Sequence, residues 1–184
     1  MNLPNRITIA RMCMIPLFLA ALLGGFLPPN VSRLSATGIF IIASASDWLD
    51  GFLARKMDLI SDFGKLMDPI ADKLLVGAAL VSMVQLGDID AWMVVLIISR
   101  EFLISGMRLV AVEKGNVIAA STWAKIKTAI QMLMIIMVLG GGALLPEGQS
   151  QVFSAVCELM KWLAVGLTVI SAYDYIYKNR ELFK

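Results

Sequence analysis

The sequence predicts an all-α integral membrane protein with six transmembrane helices, and three observations carry that prediction. Of its 184 residues, 59% are hydrophobic and 16% are charged, with a mean hydropathy of +0.80. A water-soluble domain of this length could not cover so much apolar side chain with so little charge. Six stretches reach the about 20 mostly apolar residues that a spanning helix needs. The basic residues are also sorted. With the N-terminus in the cytoplasm, only Arg33 and Lys161 of the 16 lysines and arginines fall on the outer side.

The elements follow in order. The N-terminal "MNLPNRITIARMCMIPLFLAALLGGFLPP" resembles a signal peptide, but no small-x-small cleavage site follows its apolar core and further spans come after it. It is read as a retained helix over about 8–27, bent at Pro16, with an amphipathic lead-in. The next spans are predicted over about 34–56, 63–86, 91–113, 123–145 and 152–177. Turn chemistry in "LPPN", "QLGDID", "EKGN" and "GGGALLPEGQ" marks breaks between them. No internal repeat or linker divides residues 1–184, which are read as one domain with both termini cytoplasmic. Tyr173, Tyr175 and Tyr177 fall where the last helix leaves the bilayer and are read as interfacial anchors. There is no histidine, so imidazole chemistry is excluded. Cys13 and Cys157 lie in apolar runs and suggest neither a disulfide framework nor a metal site. A net charge of +2 implies no nucleic-acid partner.

One stretch resists this apolar pattern. "SDWLDGFLARKMDLISDFGKLMDPIADK", residues 46–73, carries Asp47, Asp50, Asp58, Asp62, Asp68 and Asp72, although carboxylates are expensive near hydrocarbon. Asp47 and Asp50 are three apart and Asp68 and Asp72 four apart, so each pair shares a helix face. On antiparallel neighbouring helices the two pairs can face each other. Four converging carboxylates would repel unless cations sat between them, and an all-oxygen set suits Mg²⁺ or Mn²⁺ better than zinc. Gly51, Ala54 and Gly64 leave room for a ligand beside the acids, and the Arg55 guanidinium can reach a phosphate. Asp58 and Asp62 are read as loop residues, with Ser61 or Asp62 capping the third helix. Pro69 suits a first helical turn, and Trp48 and Phe52 suit packing or lipid contact.

Within that stretch, "DWLDGFLARKMDLISDFGKLMDPIAD" resembles the signature of the CDP-alcohol phosphotransferase family, D-x2-D-G-x2-A-R-x8-G-x3-D-x3-D. Asp47, Asp50, Gly51, Ala54, Arg55, Gly64, Asp68 and Asp72 fill every fixed position, and the six-helix plan matches as well. The resemblance implies a two-metal site of Mg²⁺ or Mn²⁺ held by Asp47, Asp50 and Asp68, with Asp72 completing it and serving as general base. It implies a cytidine diphosphate pocket lined by Gly51, Ala54, Arg55 and Gly64, with Asn5 and Thr8 of the first helix nearby. Capping that helix is the simpler role for Asn5. The resemblance also implies a homodimer.

The acceptor half rests on other inner-side charges. Arg100 and Arg108 lie two turns apart on one face of the fourth helix, Arg100 inside the apolar run "VVLIISREFLISGM". The adjacent Glu101 can pair only sideways or with another helix. Lys125 and Lys127 in "AKIKTA" point to roughly opposite sides, so one can face a pocket and the other the lipid headgroups. Together these residues could form a cationic cup for an anionic acceptor. "LPNRIT", "SREF", "GMRL" and "KIKT" resemble the branch of the family that joins CDP-diacylglycerol to sn-glycerol 3-phosphate. That implies a site at the cytoplasmic face of a bacterial inner membrane, with membrane lipids as neighbours. A cardiolipin-type or inositol-phosphate-type acceptor is the competing reading within the family. A divalent-cation transporter is the competing class.

Overall fold

The computed structural model describes residues 3–57, 62–113, 121–144 and 150–180; within these, the side chains of residues 3–7, 47–57, 62–69, 72, 113 and 150 lie outside the description. The described residues form six helices: α1 (Leu3–Leu23), α2 (Pro29–Met57), α3 (Asp62–Gln85), α4 (Ala91–Glu113), α5 (Thr122–Leu144) and α6 (Ser150–Lys178). No strand occurs among the described residues.

Local chemistry sets the helix ends. α1 runs through Pro16 but stops at Leu23, short of the predicted 27. Gly25 takes a φ of 70°, a left-handed conformation that glycine adopts without a Cβ clash. α2 begins at Pro29 and not near 34, since proline suits the first turn, where its missing N–H leaves no bond unmade. α3 ends at a second left-handed glycine, Gly87 (φ 76°), and the Asp88 N–H closes the turn onto the Met83 carbonyl at 2.9 Å. The hydroxyl of Ser121 accepts the Ala124 N–H at 3.3 Å and caps α5.

α1 packs along α2 and α3, α2 along α5, α5 along α6, and α4 against α6 and α3. The Phe18 and Phe40 rings meet between α1 and α2 at 6.3 Å. Gly140 allows α2 and α5 to approach closely, because a Cβ there would lie 3.0 Å from Cγ2 of Thr37. Leu75, Leu80, Met83, Ile97, Met134 and Leu139 fill the same core. At one end of the bundle, Arg33 makes a two-pronged ion pair with Asp88 (2.8 and 3.0 Å), joining α2 to the α3–α4 turn. There the Ser32 hydroxyl donates to the terminal carbonyls of α1 at Ala21 (2.6 Å) and Leu22 (3.0 Å).

Many large apolar side chains face outward, among them Phe26, Val95, Phe102, Leu109, Val152 and Leu159. Thr122–Leu144 and Gln151–Lys178 are long and apolar enough to cross a membrane, and Thr8–Leu23 and Lys73–Gln85 are shorter apolar stretches among the described residues. α4 falls outside that group because Arg100, Glu101 and Arg108 interrupt it.

Candidate active site

The acidic motif is carried by two helices. Asp47, Asp50, Gly51, Ala54 and Arg55 lie in the C-terminal half of α2, and Gly64, Asp68 and Asp72 near the start of α3. The backbone is helical through both pairs, so the three- and four-residue spacings keep each pair on one face. The side chains of all eight motif residues lie outside the described set, as does that of Asn5. Among the described residues no group of three or more His, Cys, Asp or Glu side chains could hold a metal. On α1, Thr8 and Arg11 are three residues apart, and both are buried and engaged.

Ile70 and Lys73 flank Asp72 on α3 and line a groove of about 630 Å³ bounded by α1, α3, α4 and α5. The groove is apolar along most of its length and polar at the end nearest the motif. There Lys73 donates to the Ser105 hydroxyl, which itself donates to the Glu101 backbone carbonyl at 2.7 Å. Lys127 pairs with Oε1 of Glu101, and the same oxygen accepts Nη1 of Arg100 at 3.2 Å. Lys127 is 2% exposed, and an ammonium so deeply buried requires a partner of opposite charge.

The Glu101 carboxylate does not meet every donor of the Arg100 guanidinium. Arg100 is 8% exposed, and its Nε and Nη2 are buried with no hydrogen-bond partner among the described residues. Arg108 lies with its guanidinium 5.6 Å from the centre of the Tyr175 ring, and its Nε is buried without a partner among the described residues. Among the described residues the buried Tyr175 hydroxyl has none either. A buried donor left unpaired costs about 1–3 kcal/mol. These donors on α4 and α6 therefore favour an arriving acceptor, and an anion most of all.

The structure places the predicted cationic residues unequally. Arg100 and Lys127 meet at Glu101, and Arg108 turns inward onto α6. Lys125 is exposed, so of the two lysines it is Lys127 that faces inward. Tyr175 departs from the anchor reading: it is fully buried inside the bundle, while Tyr173 and Tyr177 stack at 6.0 Å on the outside. Positions i and i+4 share a helix face and i+2 opposes them, so the spacing itself held the signal. Lys73, Ser105 and Tyr175 were also missed as members of the polar cluster. Lys73 was readable as the neighbour of a motif aspartate, but Ser105 carried no signal.

The sequence model of the family described as CDP-alcohol phosphatidyltransferase matches residues 1–170. A relative from Bacillus subtilis (strain 168), named CDP-diacylglycerol–glycerol-3-phosphate 3-phosphatidyltransferase, is 43% identical over 100% of this chain and 97% of its own length. A protein of the same name from Rickettsia bellii (strain RML369-C) is 38% identical over 99% of this chain and 97% of the relative. A probable phosphatidylglycerophosphate synthase from Mycobacterium tuberculosis (strain H37Rv) is 39% identical over 95% and 80%. The chain belongs to the CDP-alcohol phosphatidyltransferase family.

Proposed function

We propose that this chain transfers the phosphatidyl group of CDP-diacylglycerol to sn-glycerol 3-phosphate, giving phosphatidylglycerophosphate and CMP. The names of the full-length relatives support the pair of substrates. The observation that carries the acceptor is the set of buried donors on Arg100 and Arg108, unpaired among the described residues, beside the buried Lys127. An acceptor bearing a phosphate fits them, and a neutral alcohol leaves them unpaired. Lys125, exposed on the opposite side of α5, suits the anionic headgroups of the surrounding lipid.

In the reaction, Asp72 takes the proton of the acceptor hydroxyl as its oxygen attacks the phosphorus bound to diacylglycerol. The bond from that phosphorus to CMP breaks, and CMP leaves with the bridging oxygen. Gly51, Ala54, Arg55 and Gly64, with Asn5 and Thr8 of α1, surround the cytidine diphosphate. Asp47, Asp50 and Asp68, with Asp72, form an all-oxygen donor set on two helical faces, which fits Mg²⁺ or Mn²⁺. Such ions, when bound, supply positive charge against the diphosphate oxygens. Arg100, Arg108 and Lys127 hold the acceptor phosphate and so orient its hydroxyl.

The chain works as a multi-pass protein of a bacterial cytoplasmic membrane, with six spans, both termini cytoplasmic and the site at the cytoplasmic face. Helices of 21 to 29 residues match a hydrocarbon core of about 30 Å at about 1.5 Å per residue. The outward Phe, Val and Leu side chains suit lipid, as does the segregation of basic residues. A homodimer is the expected assembly, checked by the mass of the protein–detergent complex.

The test is CMP release by purified protein in mixed micelles of CDP-diacylglycerol with Mg²⁺. Glycerol 3-phosphate, inositol phosphate, serine and phosphatidylglycerol are offered separately. Release with glycerol 3-phosphate alone is expected. Release with a different acceptor overturns the acceptor assignment, and no release from folded protein overturns the enzyme assignment.

A further inference from the structure

The groove beside the motif has a shape that the reaction's polar chemistry does not explain. Its wall on α3 runs from Ile70 to Gln85, about 22 Å at about 1.5 Å per residue. That reaches past the middle of a hydrocarbon core of about 30 Å. Beyond the polar end its walls are mostly apolar, with Ile15 and Leu19 from α1, Val81 from α3 and Ile97 and Phe102 from α4, and with Ser82, Gln85 and Gln131 as polar exceptions. The polar end presents Lys73, which donates to the Ser105 hydroxyl, and Lys127, paired with Glu101, close to the turn that carries Asp72. A long apolar trough with a cationic mouth complements a phospholipid: phosphate at the mouth, hydrocarbon along the trough. The mouth is continuous with the turn of α3 that carries the motif, where the lipid's phosphorus reacts.

One position controls the width of this trough. Gly77 lines it one turn beyond Lys73, and a Cβ added there meets nothing within 4 Å. Glycine in the interior of a helix is unfavourable, and here no close helix contact requires it. We infer that the α1–α3–α4–α5 groove holds one acyl chain of the lipid substrate, and that Gly77 keeps it open so that long chains can pass. The inference rests on the function proposed above and names the part of that site which selects the lipid.

The experiment compares Gly77→Leu with wild type, using CDP-diacylglycerol with dioleoyl or dioctanoyl chains and saturating glycerol 3-phosphate. A leucine at 77 narrows the trough about one turn past its mouth, so an oleoyl chain must thread most of its length past it and an octanoyl chain only its last few carbons. The long-to-short ratio of kcat/KM is expected to fall tenfold or more. Val81→Trp blocks the trough about 6 Å further along, at about 1.5 Å per residue, so its cut-off falls at chains several carbons longer. Gly106→Leu on α4, where an added Cβ also meets nothing and which does not line the groove, keeps the wild-type ratio. Melting in detergent verifies that each variant is folded. An unchanged ratio in folded Gly77→Leu overturns the inference, as does an equal fall for both chain lengths, the result expected if a second copy of the chain covers the groove. Wild-type CMP release from the dioctanoyl substrate reports on the proposed reaction separately.

Discussion

Glu101→Gln tests the buried cluster through two effects of opposite sign. The carboxylate is the partner of Lys127, 2% exposed, and of Nη1 of Arg100, 8% exposed. Removing one partner of a fully buried pair costs about 3–5 kcal/mol. Glu101 itself is 26% exposed and glutamine keeps an amide oxygen for one lysine bond, which brings the loss to about 2 kcal/mol, near that of a charge-assisted hydrogen bond. For a chain of this size, about 2–4 °C per kcal/mol gives a melting temperature lower by roughly 4–8 °C. The second effect concerns the acceptor. Without Glu101, Nη1 of Arg100 and the Lys127 ammonium lose the carboxylate they share, so the phosphate of glycerol 3-phosphate gains what that carboxylate loses. Ligand that binds only the folded state stabilises it by about 2.7 kcal/mol at a hundred times Kd. The variant is therefore expected to melt lower than wild type without ligand and to recover more of the difference as glycerol 3-phosphate is titrated. The assay is a melting curve in detergent at stepped acceptor concentrations, with sodium sulfate as a control for ionic strength. A smaller ligand-induced gain than in wild type would refute the reasoning and make Glu101 the residue that aims Lys127 at the phosphate.

Asp68→Asn is expected to reduce turnover to background, and chelation by EDTA to do the same to wild type, with activity restored by Mg²⁺ or Mn²⁺; retained turnover in either case breaks the metal-site reading. Arg108→Ala removes a charged donor worth about 1.5–3 kcal/mol, so KM for glycerol 3-phosphate should rise roughly 10- to 100-fold and exceed any rise for CDP-diacylglycerol. Equal rises would reduce Arg108 to a support for Tyr175. Gly140→Val drives a branched side chain into Thr37, and overpacking of this kind costs about 1–3 kcal/mol, read as a lower melting temperature with KM for both substrates unchanged.

The helices were legible because apolar runs of spanning length leave few alternatives, and the fourth was placed at its observed bounds, Ala91–Glu113. The errors came from single residues at ends. Reading α1 through Gly24 and Gly25 gave apolar composition priority over a left-handed stop, and starting α2 late overlooked what Pro29 can do in a first turn. At the site, the aspartate motif is local, so its spacing survives in a linear string. The cationic cluster is not local. Helical period showed that Lys125 and Lys127 diverge, but only the packing of α5 against α2 and α6, which carries Lys127 to Glu101 of α4, decides which turns inward. Tyr175 was grouped with its neighbours because the interfacial rule counts residue types, whereas burial follows the face.

The division of labour along the bundle follows from the two substrates. Glycerol 3-phosphate enters from water, and the diacylglycerol chains cannot leave the hydrocarbon. Their reacting atoms can meet only where buried charge is tolerated. Arg100, Glu101 and Lys127 meet that condition by pairing with one another, which leaves them little to add to folding. Stability must then come from elsewhere. Phe18, Phe40, Leu80, Met83 and Met134 lie away from the motif, with the Arg33–Asp88 pair securing that end. Removing one charge from the cluster still costs stability, because it leaves a buried partner uncompensated. Substitutions at Phe18, Phe40, Met83 or Met134, none of which lines the groove, should change melting before they change KM.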